Sequence, residues 1–127
     1  MYEKIRSFTD LNAWKEAHSL VLMIYRTAKH FPQSERFGLS NQIQRAAVSI
    51  SSNIAEGFSR RTQEEKNHFY FIAQGSNTEV QNQLLIARDI EYIDKVNFKK
   101  IADQTVTVSK LINGLIKSSK TKKFIHN

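Results

Sequence analysis

The chain has no cysteine, one proline and four glycines in 127 residues. Without cysteine there is no disulfide framework, no thiolate metal site and no cysteine nucleophile, which fits a reducing compartment and makes the cytoplasm the expected location. So little proline and glycine cannot punctuate a fold of many short strands, and an apolar share of 40% is too high for a disordered chain. Long apolar runs are missing as well. None approaches the roughly 20 residues of a membrane span, and the opening MYEKIRSFTD lacks the apolar centre of a signal peptide. The length suits one domain, 1–127, and the exclusions together point to an all-α fold away from membranes.

Acidic residues are scarce in one place only. Residues 1–94 carry 11 Lys or Arg and 11 Asp or Glu, a net of zero, whereas residues 95–127 carry 8 basic residues and a single acid, Asp103. The formal charge of +7 therefore belongs to the last quarter of the chain, and reads as a basic surface on one element followed by a basic tail.

Apolar residues recur at helical spacing in four stretches. Helix A, about 10–30, is capped by Thr9 or Asp10; its stripe is Leu11, Trp14, His18, Val21, Tyr25 and Ala28, widened by Ala17, Leu20 and Ile24. Pro32 ends it. Helix B, about 38–57, has Ser34 or Ser40 as a cap and buries Leu39, Ile43, Ala46, Ala47, Ile50 and Ile54. Gly57 offers a left-handed stop, and Thr62 with Glu65 reads as a capping box for helix C, about 63–89. The helix C stripe is Phe69, Ile72, Ala73, Ser76, Val80, Gln83, Leu84 and Ala87. With B and C antiparallel about a turn near Arg60, Ala46 lies opposite Gln74 and Arg45 opposite Gly75. Gly75, costing up to ~1 kcal/mol inside a helix, is then explained by close backbone approach. Helix D, about 95–119, follows an Asp94 cap and buries Phe98, Ile101, Thr105, Val108, Ile112 and Leu115. At 100° per residue Lys95, Lys99, Lys110, Lys117 and Lys120 fall within roughly 80° of one another on its outer side. Residues 120–127 lack periodicity and read as a basic tail. Four amphipathic helices on short links bury their stripes as an antiparallel up-down-up-down bundle.

The succession of motifs carries a resemblance. The turn Phe31, Pro32, Glu35, Phe37, Gly38 and Leu39, the run from Arg45 to Gly57, and Gly75, Ser76 and Glu79 resemble the bacterial four-helix-bundle family encoded by intervening sequences in 23S ribosomal RNA genes. The likeness spans residues 8–93; helix D and the tail have no comparable signature. The resemblance implies a four-helix bundle assembled as a ring-shaped homopentamer. It also extends to the accessory protein of diversity-generating retroelements, a basic pentamer that binds reverse transcriptase and its RNA. No settled biochemical activity comes with the intervening-sequence family.

Little in the chain points to catalysis. There is no G-x-S-x-G elbow, no P-loop and no glycine-rich phosphate cradle. Glu65 and His68 make one Glu-x-x-His step, but a di-iron bundle needs two and further inward carboxylates, so neither metal nor cofactor is expected. His18 reads as a hydrogen-bonded core histidine. Arg45, Asn53, Glu56 and Glu79 read first as a structural polar network between helices, since charge held there must be paired, with Arg45 and Glu79 brought together. A polar functional site is the other reading. The remaining signal is basic: Arg60 and Arg61 at the B–C turn, Lys66 one turn on, the helix D face and the tail lysines Lys122 and Lys123. Such cations make sequence-independent phosphate contacts. Phe58 and Tyr70 are candidate base-stacking platforms, although each fits a core or subunit interface better. The sequence thus reads as a non-enzymatic, oligomeric scaffold that binds RNA or another nucleic acid through basic surfaces. The alternative is an adaptor that docks a nucleic-acid enzyme such as a reverse transcriptase without touching nucleic acid.

Overall fold

The computed structural model describes the backbone of residues 4–125 and the side chains of residues 4–117. Four helices follow in order, α1 (Asn12–Ala28), α2 (Leu39–Ser59), α3 (Gln63–Asp89) and α4 (Lys95–Ile125), and no strand occurs among the described residues. Each helix packs against two neighbours around a square, α1 on α2 and α4, α3 on α2 and α4, with α2 and α3 the closest pair. One core fills the middle, built on Leu20 and Ile24 of α1, Ile43, Ile50 and Ile54 of α2, Val80 and Leu84 of α3, and Ile101, Val108 and Ile112 of α4. Among the described residues no helix is long and apolar enough to cross a membrane.

Helix α2 buries the expected stripe almost residue for residue. Helix α1 is rotated. Its buried side is Ala13, Ala17, Leu20, Ile24 and Ala28, while His18 and Tyr25 are exposed. Small side chains let neighbouring helices approach, whereas the long amphipathic ones keep a polar atom in water. His18 is therefore no core histidine; it stacks on Trp14 with ring centroids 4.7 Å apart. Thr9 and Asp10 do not cap α1. They lie in a short 3-10 turn (Phe8–Asp10) whose capping box is Ser7 and Asp10, and the N–H groups of Arg6 and Ser7 hold the Asp10 carboxyl below its usual pKa. Along α3, Tyr70 and Asn77 join the core and Ile72 leaves it for the surface.

Gly57 and Gly75 exchange roles. Gly57 is buried inside α2, which runs on to Ser59, and no glycine has a positive φ. A Cβ there would meet the Tyr70 ring at 2.7 Å and the Lys66 carbonyl oxygen at 3.1 Å, so the helices touch because this side chain is missing. Gly75 faces open space, with nothing within 4 Å of where its Cβ would stand. Gly75 lies on the outer side of α3, and the register is shifted from the expected one. Ser49 and Ser76 share a hydrogen bond of 2.8 Å across α2 and α3, which centres the turn near Thr62, roughly two residues beyond Arg60. Thr62 Oγ1 accepts the Glu65 N–H at 3.1 Å, the Thr62 half of the capping box.

The opposite end of the bundle is closed by Glu35. One carboxylate oxygen accepts the Leu39 N–H at 3.2 Å and so caps α2 in place of Ser34 or Ser40. The other accepts the Tyr92 O–H at 2.8 Å, tying the α1–α2 turn to the α3–α4 turn. A Cβ on Gly38 would stand 2.7 Å from Glu35 Oε1, so glycine leaves room for the carboxylate. In the α3–α4 turn Glu91 takes φ 66°, and the N–H of Tyr92 returns to the carbonyl of Ala87 at 2.8 Å. This is the left-handed helix stop, made by glutamate instead of glycine. Asp94 then caps α4 through the Asn97 N–H at 2.8 Å, as its sequence predicts.

Helix α4 docks through amides as much as through apolar groups. Gln74 donates to the Ser109 carbonyl at 2.9 Å, Asn77 to the Thr105 carbonyl at 2.9 Å, Gln81 to the Thr105 hydroxyl at 3.1 Å, and Gln104 of α4 to the Glu16 carbonyl at 2.9 Å. The helix also extends over residues that the sequence pattern assigns to a tail.

Candidate nucleic-acid interface

The lysines of α4 are the natural starting point. A helix rises ~1.5 Å per residue, so Lys95 and Lys117 are separated by about 33 Å along one face. Lys95, Lys99, Lys110 and Lys117 are all exposed, because Ile101, Thr105, Val108, Ile112 and Ile116 turn the opposite side inward. Only Lys99 has an acidic partner, Asp103 at 3.0 Å. Lys100, which the sequence pattern leaves off this face, is exposed as well. The side chains of Lys120, Lys122 and Lys123 lie outside the described residues.

The α2–α3 turn behaves differently from its composition. Arg60 is ion-paired to Glu56 at 2.8 Å, and its guanidinium lies 4.6 Å from the centroid of the Phe69 ring. The Lys66 ammonium donates to the Phe58 carbonyl at 2.6 Å and more weakly to that of Gly57 at 3.5 Å. It caps the carbonyl end of α2, where a cation complements the helix dipole, and partial burial lowers its pKa. Of the three cations at this turn, only Arg61 is exposed and unpaired. Tyr70 is 3% exposed and cannot stack on a base. Phe58 is half-buried, with the Lys66 ammonium 5.4 Å from its ring centroid.

The four polar residues singled out on the second and third helices do not form one network. Asn53 donates to the carbonyl and the hydroxyl of Ser49, and that hydroxyl bonds Ser76. Glu56 is committed to Arg60 on the surface. Arg45 and Glu79 line one groove of about 500 Å³ between α2 and α3 without forming an ion pair. The interhelical polar network is instead the amide set of Gln74, Asn77, Gln81 and Gln104. Sequence reading looks for charges and misses it, because an amide carries none and donates to main-chain carbonyls whose positions only the register reveals. No group of three His, Cys, Asp or Glu able to hold a metal occurs among the described residues; His68 packs edge-on against Phe69.

Comparison with known proteins adds two findings. The family model described as 23S rRNA-intervening sequence protein matches residues 9–114. In fold the chain is similar to the crystal structure of a protein of unknown function from the S23 ribosomal protein family of Bacteroides thetaiotaomicron, with a TM-score of 0.77 at 23% identity over 83% of this chain and 98% of that one. No curated protein matches.

Proposed function

From the premise that the chain belongs to the 23S rRNA-intervening sequence protein family, we propose that it is a non-catalytic, oligomeric scaffold that binds RNA through the outer face of α4. The observation that carries this reading is the row of exposed lysines Lys95, Lys110 and Lys117, none of them ion-paired. Cations at a helix N-terminus oppose its dipole; the Asp94 cap and the Asp103 partner of Lys99 offset part of this, and a phosphate backbone along the face adds to that offset. Contacts of this kind are insensitive to sequence and fall steeply with salt.

Oligomerisation has its own support. The outer side of α3 exposes Ile72, Leu85 and Ile86, apolar side chains suited to protein contact. The ring-shaped homopentamer is the assembly we favour, since five copies multiply a weak basic surface by valency. The same face also favours a second reading, an adaptor that docks a nucleic-acid enzyme. Changing Lys95, Lys110 and Lys117 together to Gln should weaken RNA binding and flatten its logarithmic salt dependence by up to about 0.7–0.9 per lost phosphate contact. Absence of any RNA binding by the oligomer at low salt, with a protein partner that survives nuclease treatment during purification, would favour the adaptor.

A further inference from the structure

The α1–α2 turn holds an aromatic ring that the bundle does not use. Phe37 is 85% exposed, the most exposed large apolar residue among the described residues. Among those residues its ring contact is with the Arg36 guanidinium, 5.4 Å from the centroid. Arg36 also lines a groove of about 490 Å³, together with Lys29, Gln33, Ser40 and Gln44. Neither Lys29 nor Arg36 is ion-paired. The acid beside them, Glu35, is turned inward, with one oxygen on the Leu39 N–H and the other on the Tyr92 O–H, and no carboxylate lines the groove.

We infer that this turn is a binding site for unpaired RNA, with a base stacked on Phe37 and the adjoining phosphates held by Arg36 and Lys29. The inference rests on the RNA-binding reading above and adds the structural class of the RNA. An exposed aromatic ring beside a cationic groove is the arrangement that holds single strands, because every base has a π face and the phosphates supply the remaining attraction. A duplex keeps its base faces stacked and offers none to Phe37. The Gln33 and Gln44 amides and the Ser40 hydroxyl provide donors and acceptors for base edges or ribose. An apolar protein anchor fits less well. Such an anchor sits in a pocket ringed by further contacts that exclude water, whereas Phe37 stands next to Arg36 and a groove of mostly polar side chains.

The test compares an unstructured uridine-rich RNA 12-mer with an RNA duplex of equal length, by fluorescence anisotropy on the full chain at several salt concentrations. Phe37→Ala should weaken binding of the single strand by roughly 5- to 160-fold, the usual range for one stacked base, and leave the duplex unchanged. Phe37→Trp should retain single-strand binding and Phe37→Leu should not, since leucine keeps the apolar surface but loses the π face. Phe37 is on the surface, so the melting temperature should stay constant across the series. Equal rescue by leucine and tryptophan would overturn the inference in favour of an apolar protein contact. An unaltered single-strand affinity in Phe37→Ala, while the α4 lysine variant weakens both RNAs, would overturn it and leave the α4 reading standing. The reverse pattern would support this site and remove the α4 face. If neither RNA binds the unaltered protein, both fall together.

Discussion

The two ends of the bundle hold similar residues and use them in opposite ways. At the α2–α3 end, Arg60 lies over an aromatic ring and is neutralised by Glu56, and Lys66 is consumed as a helix cap. At the α1–α2 end, Arg36 also lies beside an aromatic ring, but Glu35 is withdrawn into the structure by Tyr92 and Leu39. One end keeps Arg61 alone of its three cations free, and the other leaves its cations and its ring to solvent. A count of cations favours the α2–α3 end, with Arg60, Arg61 and Lys66 against Lys29 and Arg36; the placement of one carboxylate at each end reverses that ranking.

This contrast can be broken at the α2–α3 end first. Gly57→Ala should lower stability by about 1–3 kcal/mol, as overpacking does in a filled core, because the new methyl meets both the Tyr70 ring and a main-chain oxygen. Gly75→Ala, which meets nothing, should instead raise stability of the protomer by up to ~1 kcal/mol through helix propensity. Chemical denaturation of both variants checks the pair. Lys66→Ala should cost about 1–2 kcal/mol through the lost cap on the α2 carbonyls, and should leave the salt dependence of RNA binding unchanged, since its ammonium is already occupied.

The smallest effect concerns Glu35 and appears as a dependence on pH. The Tyr92 O–H, and after it the Leu39 N–H, hold the Glu35 carboxyl below its ordinary value of 4.5. A carboxylate with a depressed folded pKa contributes stability above its unfolded pKa and loses it as pH falls through the folded one. The melting temperature of Glu35→Gln should therefore lie below that of the unaltered protein above pH 4.5, and the gap should close as the solution is acidified below that value. A constant gap would detach Glu35 from the charge-based account of the α1–α2 end.

Much of the fold is legible in the sequence, and the failures have physical causes. Helix α2 reads correctly because its stripe is Ile and Ala against Ser, Asn and Gln, with little overlap between classes. Helix α1 reads with a rotation because His18 and Tyr25 look like core by size but are exposed, while the buried side consists of alanines with Leu20 and Ile24 and Trp14 packs at its edge. Gln83 and Thr105 are buried as their stripes predict, and helix α3 departs only where Asn77 and Tyr70 are buried and Ile72 is exposed, since a polar amide does not read as core. Gly75 could have been placed from periodicity, since it lies roughly 140° around the helix from Val80. Gly57 could not, because its partner Tyr70 depends on where the turn is centred.

The site is less legible than the fold. The exposed lysines of α4 follow from the stripe opposite them. The Glu56–Arg60 pair has an i, i+4 spacing that the sequence offers, whereas Lys66 reaches the Phe58 carbonyl across the α2–α3 turn, which only the register reveals. Phe37 is hidden for a different reason. A phenylalanine between arginine and glycine in a short link is read as a turn residue, and only the inward path of Glu35 and Leu39 shows that the ring has no core to enter.

The central claim is that partnering, rather than the number of cations, decides where this protein meets RNA. Arg36 and Arg60 form a matched pair for testing it, each beside an aromatic ring and only Arg60 ion-paired to a carboxylate. The most direct measurement is the salt dependence of single-stranded RNA affinity for Arg36→Gln and for Arg60→Gln. The account predicts that Arg36→Gln lowers affinity and reduces the logarithmic salt slope by about 0.7, the value for one phosphate contact on a single strand, while Arg60→Gln changes neither. Equal losses in the two variants, or a larger loss at Arg60, would contradict it.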